Sequence, residues 1–472
     1  MQNALRFEAR GRNVNIEILT DNGKSALRAV KEELVKIADY TETENGAVVQ
    51  FSKNRPDGDD IARIKALYPS DVLRIFARKW NLGTDNKNKR LVLPGVFAYD
   101  FLDSFEKLPA PKSDNLDFPD YVFYLPEVVV IVDHEHSDAK VVVHGYDATS
   151  YDDRCKKDVV RAEELAKEIG KFDPLDEIAF DKKGSYELSE DVRTNISDDE
   201  FASLVEHMKT HIVKGDVFQI VPSRTFFAKC NDALKTYGIL RQLNPSPYLF
   251  YVRHPEFELL GSSPETSVKV YGNPLVASIR PIAGTRRRGY LYDGTLDRDL
   301  DGRLEAELKL NEKELAEHMM LVDLARNDIA RVSKPGTRFV PSLLEVERYS
   351  HVMHLVSIVE GELRDDLDAL HAYLASANMG TLVGSPKIEA ASILRRNEAD
   401  KRGPYGGAVG YITSDKEMDT AIIIRSAIVK NGEAQVRAGA GVVFDSDPVA
   451  EANETRAKAS AVLKAISLAN RL

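Results

Sequence analysis

The chain has 472 residues, of which 43% are hydrophobic and 29% charged, and 64 basic against 75 acidic residues give a net charge of −11. This length predicts two or more structural units, and the composition excludes a disordered or fibrous protein. Lysines and arginines are interleaved with acids throughout, so we expect no nucleic-acid partner. The apolar runs are too short for a membrane span, and the two cysteines, Cys155 and Cys230, suit free thiols. We therefore expect a cytoplasmic enzyme that binds no membrane.

The first part of the chain alternates short β-rich segments with helical ones. We predict strands at 14–19, 128–132 and 141–143, and helices at 25–38 and 151–170. The segment 171–194 is rich in Asp, Lys and Gly and is the best candidate for a domain boundary. The sequence thus predicts an N-terminal region over 1–190 and a catalytic domain over 195–472, with the boundary near 171–195.

The second part opens with a helix whose two ends are marked. Ser197 followed by Glu200 forms a predicted capping box, and Gly215 is placed to close the helix. Near the other end of the chain, Asn-Gly at 431–432 separates the β-rich segments 421–429 and 434–440. This arrangement predicts a β-hairpin.

Residues 311–328 read as a helix with two acids on one stripe. Asn311 is the predicted N-cap and Glu314 the third helical residue, which gives a second capping box. Glu314 and Glu317 are neighbours by their i, i+3 spacing. A solvated acidic first turn, favoured by the helix dipole, is the alternative reading.

The C-terminal helix also carries acids near its start. Asp447 and Pro448 predict the N-cap and the first helical residue, and Glu451, Glu454 and Lys458 then share a stripe whose continuation is apolar. Ionised groups on a core-facing stripe need partners or a metal. Two helices that each offer two carboxylates suit a hard cation such as magnesium better than zinc.

Two further side chains stand among apolar neighbours in predicted strands. His354 lies between valines in the strand 349–357, where a satisfied core histidine is the alternative to a functional one. Arg425 alternates with Ile423 and Ala427, and a buried arginine needs an anion.

Several glycine-bearing turns offer backbone N–H groups that can hold carboxylates. They lack the pattern of a dinucleotide fingerprint or a Walker A loop, so nucleotide cofactors are unsupported. The turns lie at 281–286, 381–387, 406–407 and 438–442.

Together these motifs resemble the chorismate-utilising enzymes, and most closely the anthranilate synthase component I family. The likeness spans nearly all of the second part of the chain and continues more weakly to the N-terminus. It is carried by residues 215–224, 244–248, 263–265, 281–286, 317–328, 349–357, 403–411 and 438–458.

The resemblance implies an α+β fold with two large facing antiparallel β-sheets, helices packed outside and the active site in the cleft. It implies that Glu317 and Glu454 bind Mg²⁺, with Glu314 and Glu451 beside it, and that the metal holds the ring carboxylate of chorismate. Such a dianionic substrate would need a metal, an arginine and convergent N–H donors.

The resemblance also implies which residues surround the substrate. Arg425 would face the enolpyruvyl carboxylate, and Lys458 would support the metal-side carboxylates. The complete implied substrate set is Gly284, Thr285, Tyr405, Arg425, Gly439, Ala440, Gly441 and Lys458.

Two positions indicate ammonia as the nucleophile. Gln219 stands where relatives that add water to chorismate have an activating lysine, and Ala283 where aminodeoxychorismate-forming relatives often have one. Ammonia needs no such base, which favours amination at ring C2. Glu265 is then the expected general acid for the departing C4 hydroxyl. His354 and Thr381 are expected to assist the elimination of pyruvate.

The expected function is that of a Mg²⁺-dependent anthranilate synthase large subunit, which converts chorismate and ammonia to anthranilate and pyruvate in tryptophan biosynthesis. The chain has no cysteine nucleophile elbow, so ammonia would be free or come from a separate glutamine amidotransferase subunit, component II. One alternative is a synthase that stops at 2-amino-2-deoxyisochorismate. Another is a catalytically silent partner that binds chorismate or an amidotransferase.

A tryptophan effector site is only half matched. Pro247, Tyr248 and Leu249 fit one half of the effector site of the family, whereas the Leu-Leu-Glu-Ser segment of the other half is missing. We therefore expect weak or no inhibition by tryptophan.

Overall fold

The computed structural model describes residues 2–52, 59–80, 91–146, 151–171, 178, 180, 192–291, 294–349 and 352–472. Most of the predicted boundary segment 171–194 and His351 lie outside these residues. Within the described part of the chain, no helix has the length and apolar character needed to cross a membrane.

The chain forms twenty-two β-strands and twelve α-helices within the described ranges. In chain order the first strands are β1 Gln2–Arg10, β2 Asn13–Ile18, β3 Asp39–Thr43, β4 Gly46–Gln50, β5 Val92–Phe97, β6 Tyr121–Asp133, β7 Asp138–Val143, β8 Arg193–Thr194, β9 Gln219–Ile220, β10 Ser223–Lys229 and β11 Tyr248–Arg253. The remaining strands are β12 Glu258–Ser263, β13 Thr266–Tyr271, β14 Val276–Ile279, β15 Ile282–Arg287, β16 Phe339–Arg348, β17 Val352–Glu362, β18 Gly384–Ser385, β19 Ala408–Thr413, β20 Met418–Ile422, β21 Ser426–Lys430 and β22 Glu433–Gly439. The helices are α1 Asp21–Ile37, α2 Asp60–Ile64, α3 Asp71–Lys79, α4 Tyr151–Ile169, α5 Asp198–Lys214, α6 Ala233–Leu243, α7 Arg298–Leu310, α8 Glu312–Ala330, α9 Ala369–Ser376, α10 Gly380–Val383, α11 Lys387–Asn397 and α12 Pro448–Arg471.

The chain divides into two compact units that are both discontinuous in sequence. Unit 1 comprises Met1–Phe105, Phe118–Ala179 and Val409–Asp419, and unit 2 comprises the remaining three segments, Glu106–Asp117, Phe180–Ala408 and Thr420–Leu472. A single boundary near 171–195 therefore describes only one of the places where the chain passes from one unit to the other.

Unit 1 is built on an antiparallel sheet in which β5, β6, β1, β2, β4 and β3 follow one another. Phe7 is paired with Phe123 on one side and Ile16 on the other, and all three side chains are buried. The strand segments predicted at 14–19, 128–132 and 141–143 fall on β2, β6 and β7. The helices predicted at 25–38 and 151–170 correspond to α1 and α4.

Unit 2 contains a six-stranded antiparallel sheet in the order β11, β12, β21, β22, β10 and β8. Helices α6 and α12 pack on this sheet, and α5 packs on α12. The predicted capping box of Ser197 and Glu200 is present, and Gly215 closes α5 in the left-handed conformation. The predicted hairpin is formed by β21 and β22, with positive φ angles at Asn431 and Gly432.

A second antiparallel arrangement in unit 2 contains β15, β17, β14 and β13, with β16 paired to β17. Helix α8 packs on β15 and β17, and α9 packs on β13. The short strands β9 and β18 form a separate antiparallel pair. Helices packed on large antiparallel sheets confirm the predicted α+β class.

The prediction of one continuous strand over 421–429 is wrong. β20 ends at Ile422 and β21 begins at Ser426, and Arg425 between them has a φ of +50°. Ile423 instead exchanges two backbone hydrogen bonds of 2.9 Å with Gly406 and Gly407. A left-handed arginine breaks the alternation that a strand requires, so the direction of its side chain is set by this turn.

Candidate active site

Two helices of unit 2 supply the four acids that the sequence predicts for a metal. Glu314 and Glu317 lie on α8, and Glu451 and Glu454 lie on α12. Burial raises the pKa of Glu317, and the negative charges of Glu314 and Glu454 raise it further. Burial also raises the pKa of Glu451, again with a contribution from Glu454. The carboxylates of the two helices therefore act on one another electrostatically.

Gln219 is hydrogen-bonded to one of these acids. Its Nε2 donates to Oε1 of Glu317 at 2.7 Å. Gly441 permits this close approach, because a Cβ there would lie 3.0 Å from the Gln219 Nε2 and 3.7 Å from the Glu317 Oε1. An amide in this position orients the carboxylate, and it cannot serve as a base.

Glu314 has a partner that the sequence analysis did not assign. Oδ1 of Asn311 accepts a hydrogen bond from the backbone N–H of Glu314, as predicted for the N-cap. The reciprocal half of the predicted capping box is replaced by an ion pair, in which Nη1 of Arg286 lies 2.9 Å from Oε1 of Glu314. Arg286 also binds Glu307 and the carbonyl of Thr285. The signal in the sequence was an arginine directly after the Gly284-Thr285 turn.

Lys458 joins the helix of the acids to the glycine-bearing turn. Its Nζ lies 2.6 Å from Oε1 of Glu454 and donates to the carbonyl oxygen of Gly439 at 3.0 Å. The single ammonium group therefore offsets part of the negative charge of the acids and fixes one edge of the turn.

Glu265 is a buried acid with one hydroxyl donor. Its side chain is 6% exposed, and Oγ1 of Thr381 donates to Oε1 of Glu265 at 2.9 Å. Burial raises the pKa of Glu265 to about 7, although the Thr381 hydrogen bond and the charge of Lys458 act to lower it. A carboxyl group with this pKa carries a proton for a large part of the time at neutral pH.

Thr285 and His354 lie opposite each other on β15 and β17. Oγ1 of Thr285 and Nδ1 of His354 are 2.9 Å apart, and the ring of Tyr349 packs against the imidazole with its centroid 5.5 Å away. Burial lowers the pKa of His354, and the nearby charge of Arg425 lowers it further. The imidazole is thereby favoured in its neutral form, which can accept a proton.

Gly284 occupies a bulge that only glycine adopts easily. Its φ is +76°, and a Cβ would lie 2.9 Å from Cδ1 of Leu308 and 3.1 Å from Oε2 of Glu314. The pairing register between β15 and β17 shifts here, between Ala283 and Thr285. Glycine thus lets the strand pass close to Glu314.

Arg425 is a cation without an acidic partner. Among the described residues, no carboxylate forms an ion pair with its guanidinium and no side chain or carbonyl accepts a hydrogen bond from it. Burial lowers the pKa of Arg425, whereas Tyr405 and Glu454 raise it. Tyr405 is itself buried, which raises the pKa of its phenol. A partly buried, unpaired guanidinium favours the binding of an anion.

The turn at Gly439, Ala440 and Gly441 is close-packed against Pro222, which directly precedes β10, and against Tyr405. A Cβ at Gly439 would lie 2.7 Å from the carbonyl oxygen of Pro222 and 3.1 Å from the hydroxyl of Tyr405. The N–H of Ala440 already donates to Pro222 at 3.1 Å. The expectation that this turn offers free N–H groups therefore does not hold for Ala440, which contributes packing.

The three residues of the predicted effector half-site lie at the start of β11. Pro247 and Leu249 are exposed, and the hydroxyl of Tyr248 lies 3.0 Å from Oγ1 of Thr266. No described contact tests a role in effector binding, so that role stays a prediction.

The acids fit a cation that takes only a few ligands from the protein. In the ranges that the structure describes, no three His, Cys, Asp or Glu side chains converge closely enough to hold a metal by themselves. The buried Oε2 of Glu451 nevertheless has no hydrogen-bond partner, and the carboxylates raise one another's pKa. Magnesium usually binds one or two carboxylates and completes its shell with water and substrate oxygens. The donor set is therefore compatible with Mg²⁺.

Comparisons with known proteins show the family of the chain. The sequence profile of the chorismate binding enzymes matches residues 34–464. The chain is 45% identical over 469 residues to anthranilate synthase component 1 of Vibrio cholerae serotype O1, covering 99% of this chain and 87% of the relative. It is 42% identical over 470 residues to anthranilate synthase component 1 of Escherichia coli K12, covering 100% and 88%.

Solved structures show the same fold. The crystal structure of anthranilate synthase component I from Streptococcus pneumoniae TIGR4 has a TM-score of 0.78 at 29% identity, covering 98% of this chain and 91% of that one. The menaquinone-specific isochorismate synthase from Escherichia coli has a TM-score of 0.63 at 20% identity, covering 98% and 95%. This second likeness concerns the fold alone. From the matched profile and the full-length identity to its relatives, the chain belongs to the family of chorismate binding enzymes.

Proposed function

We propose that the chain is the chorismate-converting subunit of an anthranilate synthase, which forms anthranilate and pyruvate from chorismate and ammonia in tryptophan biosynthesis. The printed names of the relatives from Vibrio cholerae and Escherichia coli support this reaction, because both are anthranilate synthase component 1. The chain covers 87% and 88% of those relatives, so the likeness extends over most of their length.

A cationic side chain and a group of acids that would hold Mg²⁺ are the proposed binding points for the two carboxylates of chorismate. The unpaired guanidinium of Arg425, near the buried phenol of Tyr405, is the proposed partner of the enolpyruvyl carboxylate. Glu317 and Glu454 are the proposed holders of Mg²⁺, with Glu314 and Glu451 beside them. The bound cation would supply positive charge to the ring carboxylate and to the negative charge that develops during the reaction.

Three neighbouring side chains orient the acids, those of Gln219, Lys458 and Arg286. Gln219 orients Glu317 through its 2.7 Å hydrogen bond, and Lys458 and Arg286 are paired with Glu454 and Glu314. The amide of Gln219 cannot act as a base, and Lys458 and Arg286 are each paired with a carboxylate, so none of the three is suited to make a nucleophile from water. Ammonia needs no such activation.

The proposal depends most on one observation, the raised pKa of the buried Glu265. Departure of the C4 hydroxyl as ammonia adds at C2 requires a proton donor, and the pKa of this buried carboxyl is raised to about 7. Thr381 holds the Oε1 atom, which leaves Oε2 to carry the proton.

His354 is the proposed base for the second step. After amination, the hydrogen at C2 must leave as a proton while the enolpyruvyl group departs as pyruvate and the ring becomes aromatic. The lowered pKa of His354 favours a neutral imidazole, which can accept the proton, and the Thr285 hydroxyl and the Gly284 backbone hold the ring in place. Thr381 lies on Glu265 and would assist through that acid.

Ammonia delivery is proposed to need a second protein. The relatives' designation as component 1 supports a partner component, and we propose a glutamine amidotransferase subunit. A cytoplasmic location is proposed with it, supported by the buried free thiol of Cys230.

The test mixes the purified chain with chorismate, MgCl₂ and an ammonium salt at mildly alkaline pH. Anthranilate is followed by its fluorescence, pyruvate by a coupled dehydrogenase, and the products are identified by mass. Glu265→Gln is the matched variant, because it keeps the shape of the side chain and removes the ionisable proton. EDTA added to a second sample tests the requirement for the cation.

The expected result is equal release of anthranilate and pyruvate that stops with EDTA and falls to a small residual rate in Glu265→Gln. Consumption of chorismate with an unaromatised amino product would instead assign a 2-amino-2-deoxyisochorismate synthase. No consumption of chorismate by the wild-type chain would refute both enzymatic readings and leave a binding protein.

A further inference from the structure

The largest fully buried side chain in the described part of the protein is an arginine to which the proposed mechanism gives no role. Arg224 lies on β10 with 0% exposure, in the turn-to-strand segment that follows Gln219. Its guanidinium is enclosed by the rings of Phe201 and Phe226, whose centroids are 5.0 and 5.2 Å away. A buried cation is costly unless its donors are well placed, so the contacts of Arg224 need a reason.

Two of the three contacts of Arg224 go to the start of α12. Nε donates to Oγ1 of Thr455 and Nη2 donates to the carbonyl oxygen of Ala452, both at 2.9 Å. Nη1 lies 2.6 Å from Oδ1 of Asp198, the first residue of α5. One rigid, planar group thus holds the first turns of α12 to β10 and α5.

The residues that Arg224 binds alternate with the proposed metal-side acids. Ala452 follows Glu451, and Thr455 follows Glu454, so each contact point is one residue from an acid. A helix with side chains has a radius of about 5–6 Å, and a rotation by about 20° would move a side-chain tip by about 2 Å. A shift of this size would exceed the tolerance of a Mg²⁺ coordination shell.

β10 also pairs with β22, the strand that ends at the proposed substrate-binding turn. Ser223 is paired with Gly439 and Arg224 with Ala438 in the register of β10 and β22. The same guanidinium therefore connects the strand beside the Gly439 turn to the helix that carries Glu454.

We propose that Arg224 is a positioning residue for the divalent cation, because its forked contacts fix the rotation of α12, the helix that carries Glu451 and Glu454. This inference rests on the proposed function, since it needs a cation at these acids. Arg224 touches neither substrate nor cation, and it acts through the backbone and hydroxyl of α12.

A second arginine offers a matched control variant. Arg456 lies on the same helix and pairs with the same Asp198, with its Nη2 2.7 Å from Oδ2, but it is half-exposed. Arg456→Met removes one cation and one contact of Asp198 while the bonds from Arg224 to α12 remain. Arg224→Lys keeps the charge facing Asp198 but cannot reproduce the planar fork, and Arg224→Met removes both.

The experiment measures binding of Mn²⁺, as a spectroscopic substitute for Mg²⁺, by electron paramagnetic resonance with chorismate present and ammonia absent. Melting temperatures are measured on the same samples. We expect the dissociation constant for Mn²⁺ to rise at least tenfold in Arg224→Lys and Arg224→Met, and to stay within twofold of wild type in Arg456→Met. The Mg²⁺ concentration that gives half-maximal rate should rise by the same factors.

Thr455→Val provides a second variant if Arg224→Met does not fold. It removes one of the two acceptors on α12 and leaves the Ala452 carbonyl, Arg224 and Asp198 in place, and we expect a severalfold weaker affinity for Mn²⁺. Wild-type affinity in Arg224→Lys, or equal losses in Arg224→Lys and Arg456→Met, would overturn the positioning role while leaving the proposed function intact. A wild-type chain that binds no Mn²⁺ would overturn both.

Discussion

Removing one hydroxyl group should move the alkaline limb of the pH profile of this enzyme. Oγ1 of Thr381 donates to Oε1 of Glu265 at 2.9 Å, and this bond favours the ionised carboxylate. Thr381→Val preserves the shape of the side chain and removes the donor. A hydrogen bond to a charged group contributes about 1.5–3 kcal/mol, and about 1.4 kcal/mol corresponds to one pKa unit. The pKa of Glu265, about 7 in the wild type, should therefore rise by about one to two units.

The sign of the effect on rate follows from the role of Glu265. A general acid works in its protonated form, so the rate falls as the pH rises through its pKa. In the wild type, kcat/KM for chorismate at constant free ammonia should decline above a pH of about 7. In Thr381→Val the decline should begin about one to two pH units higher. Initial rates of anthranilate formation measure this, with total ammonium adjusted at each pH.

Two variants control the interpretation. Thr381→Ser keeps the hydroxyl, so its decline should stay at a pH of about 7, as in the wild type. Glu265→Gln should show no such decline on its small residual rate. If Thr381→Val declines at the wild-type pH or below it, Glu265 is not the acid whose ionisation limits the rate.

Three other substitutions test separate parts of the site. His354→Met should leave amination largely intact and cause an unaromatised amino product to accumulate, visible by mass, and equal loss of both steps would contradict the assignment. Arg425→Met should raise the KM for chorismate about tenfold to a hundredfold, because a charge-assisted contact worth about 1.5–3 kcal/mol is lost, and an unchanged KM would remove Arg425 from the substrate site. Gly284→Ala should lower the free energy of unfolding by more than about 1 kcal/mol, since a Cβ at a φ of +76° would lie 2.9 Å from Cδ1 of Leu308, and denaturant titration at wild-type stability would show that the bulge relaxes.

Local sequence signals predicted the ends of elements well where the stabilising partner is a few residues away. The capping box of Ser197 and Glu200 is formed by residues three apart, and the Asn431-Gly432 turn is set by its own backbone preferences. Glu314 shows where such local signals fail. Its spacing from Asn311 suits a capping box, but Arg286, which lies 28 residues earlier in the chain, takes its carboxylate.

The lack of local information about distant partners also explains why the continuous strand predicted through Arg425 is wrong. Residues 421–429 are apolar except at Arg425 and Ser426, as in a buried strand, yet the segment breaks because Ile423 pairs with Gly406 and Gly407. Apolar side chains indicate burial and carry no information about which distant backbone supplies the hydrogen bonds. The pairing of acids from α8 and α12 was predicted through family resemblance, since no local pattern connects Glu317 with Glu454.

The interleaving of the two units has a practical consequence for dissecting the protein. A fragment that begins at residue 195 would lack Ser113 and Asp114, although the hydroxyl of Ser113 donates to the carbonyl of Ala399 and Asp114 pairs with Lys401 within unit 2. It would also carry Val409–Asp419, which belongs to unit 1. Truncation at the apparent linker would thus give two fragments that each miss part of their own core and display part of the other's. Independent expression of the chorismate-binding half would need a rearranged gene, with the short Glu106–Asp117 segment supplied and the Val409–Asp419 segment replaced by a turn.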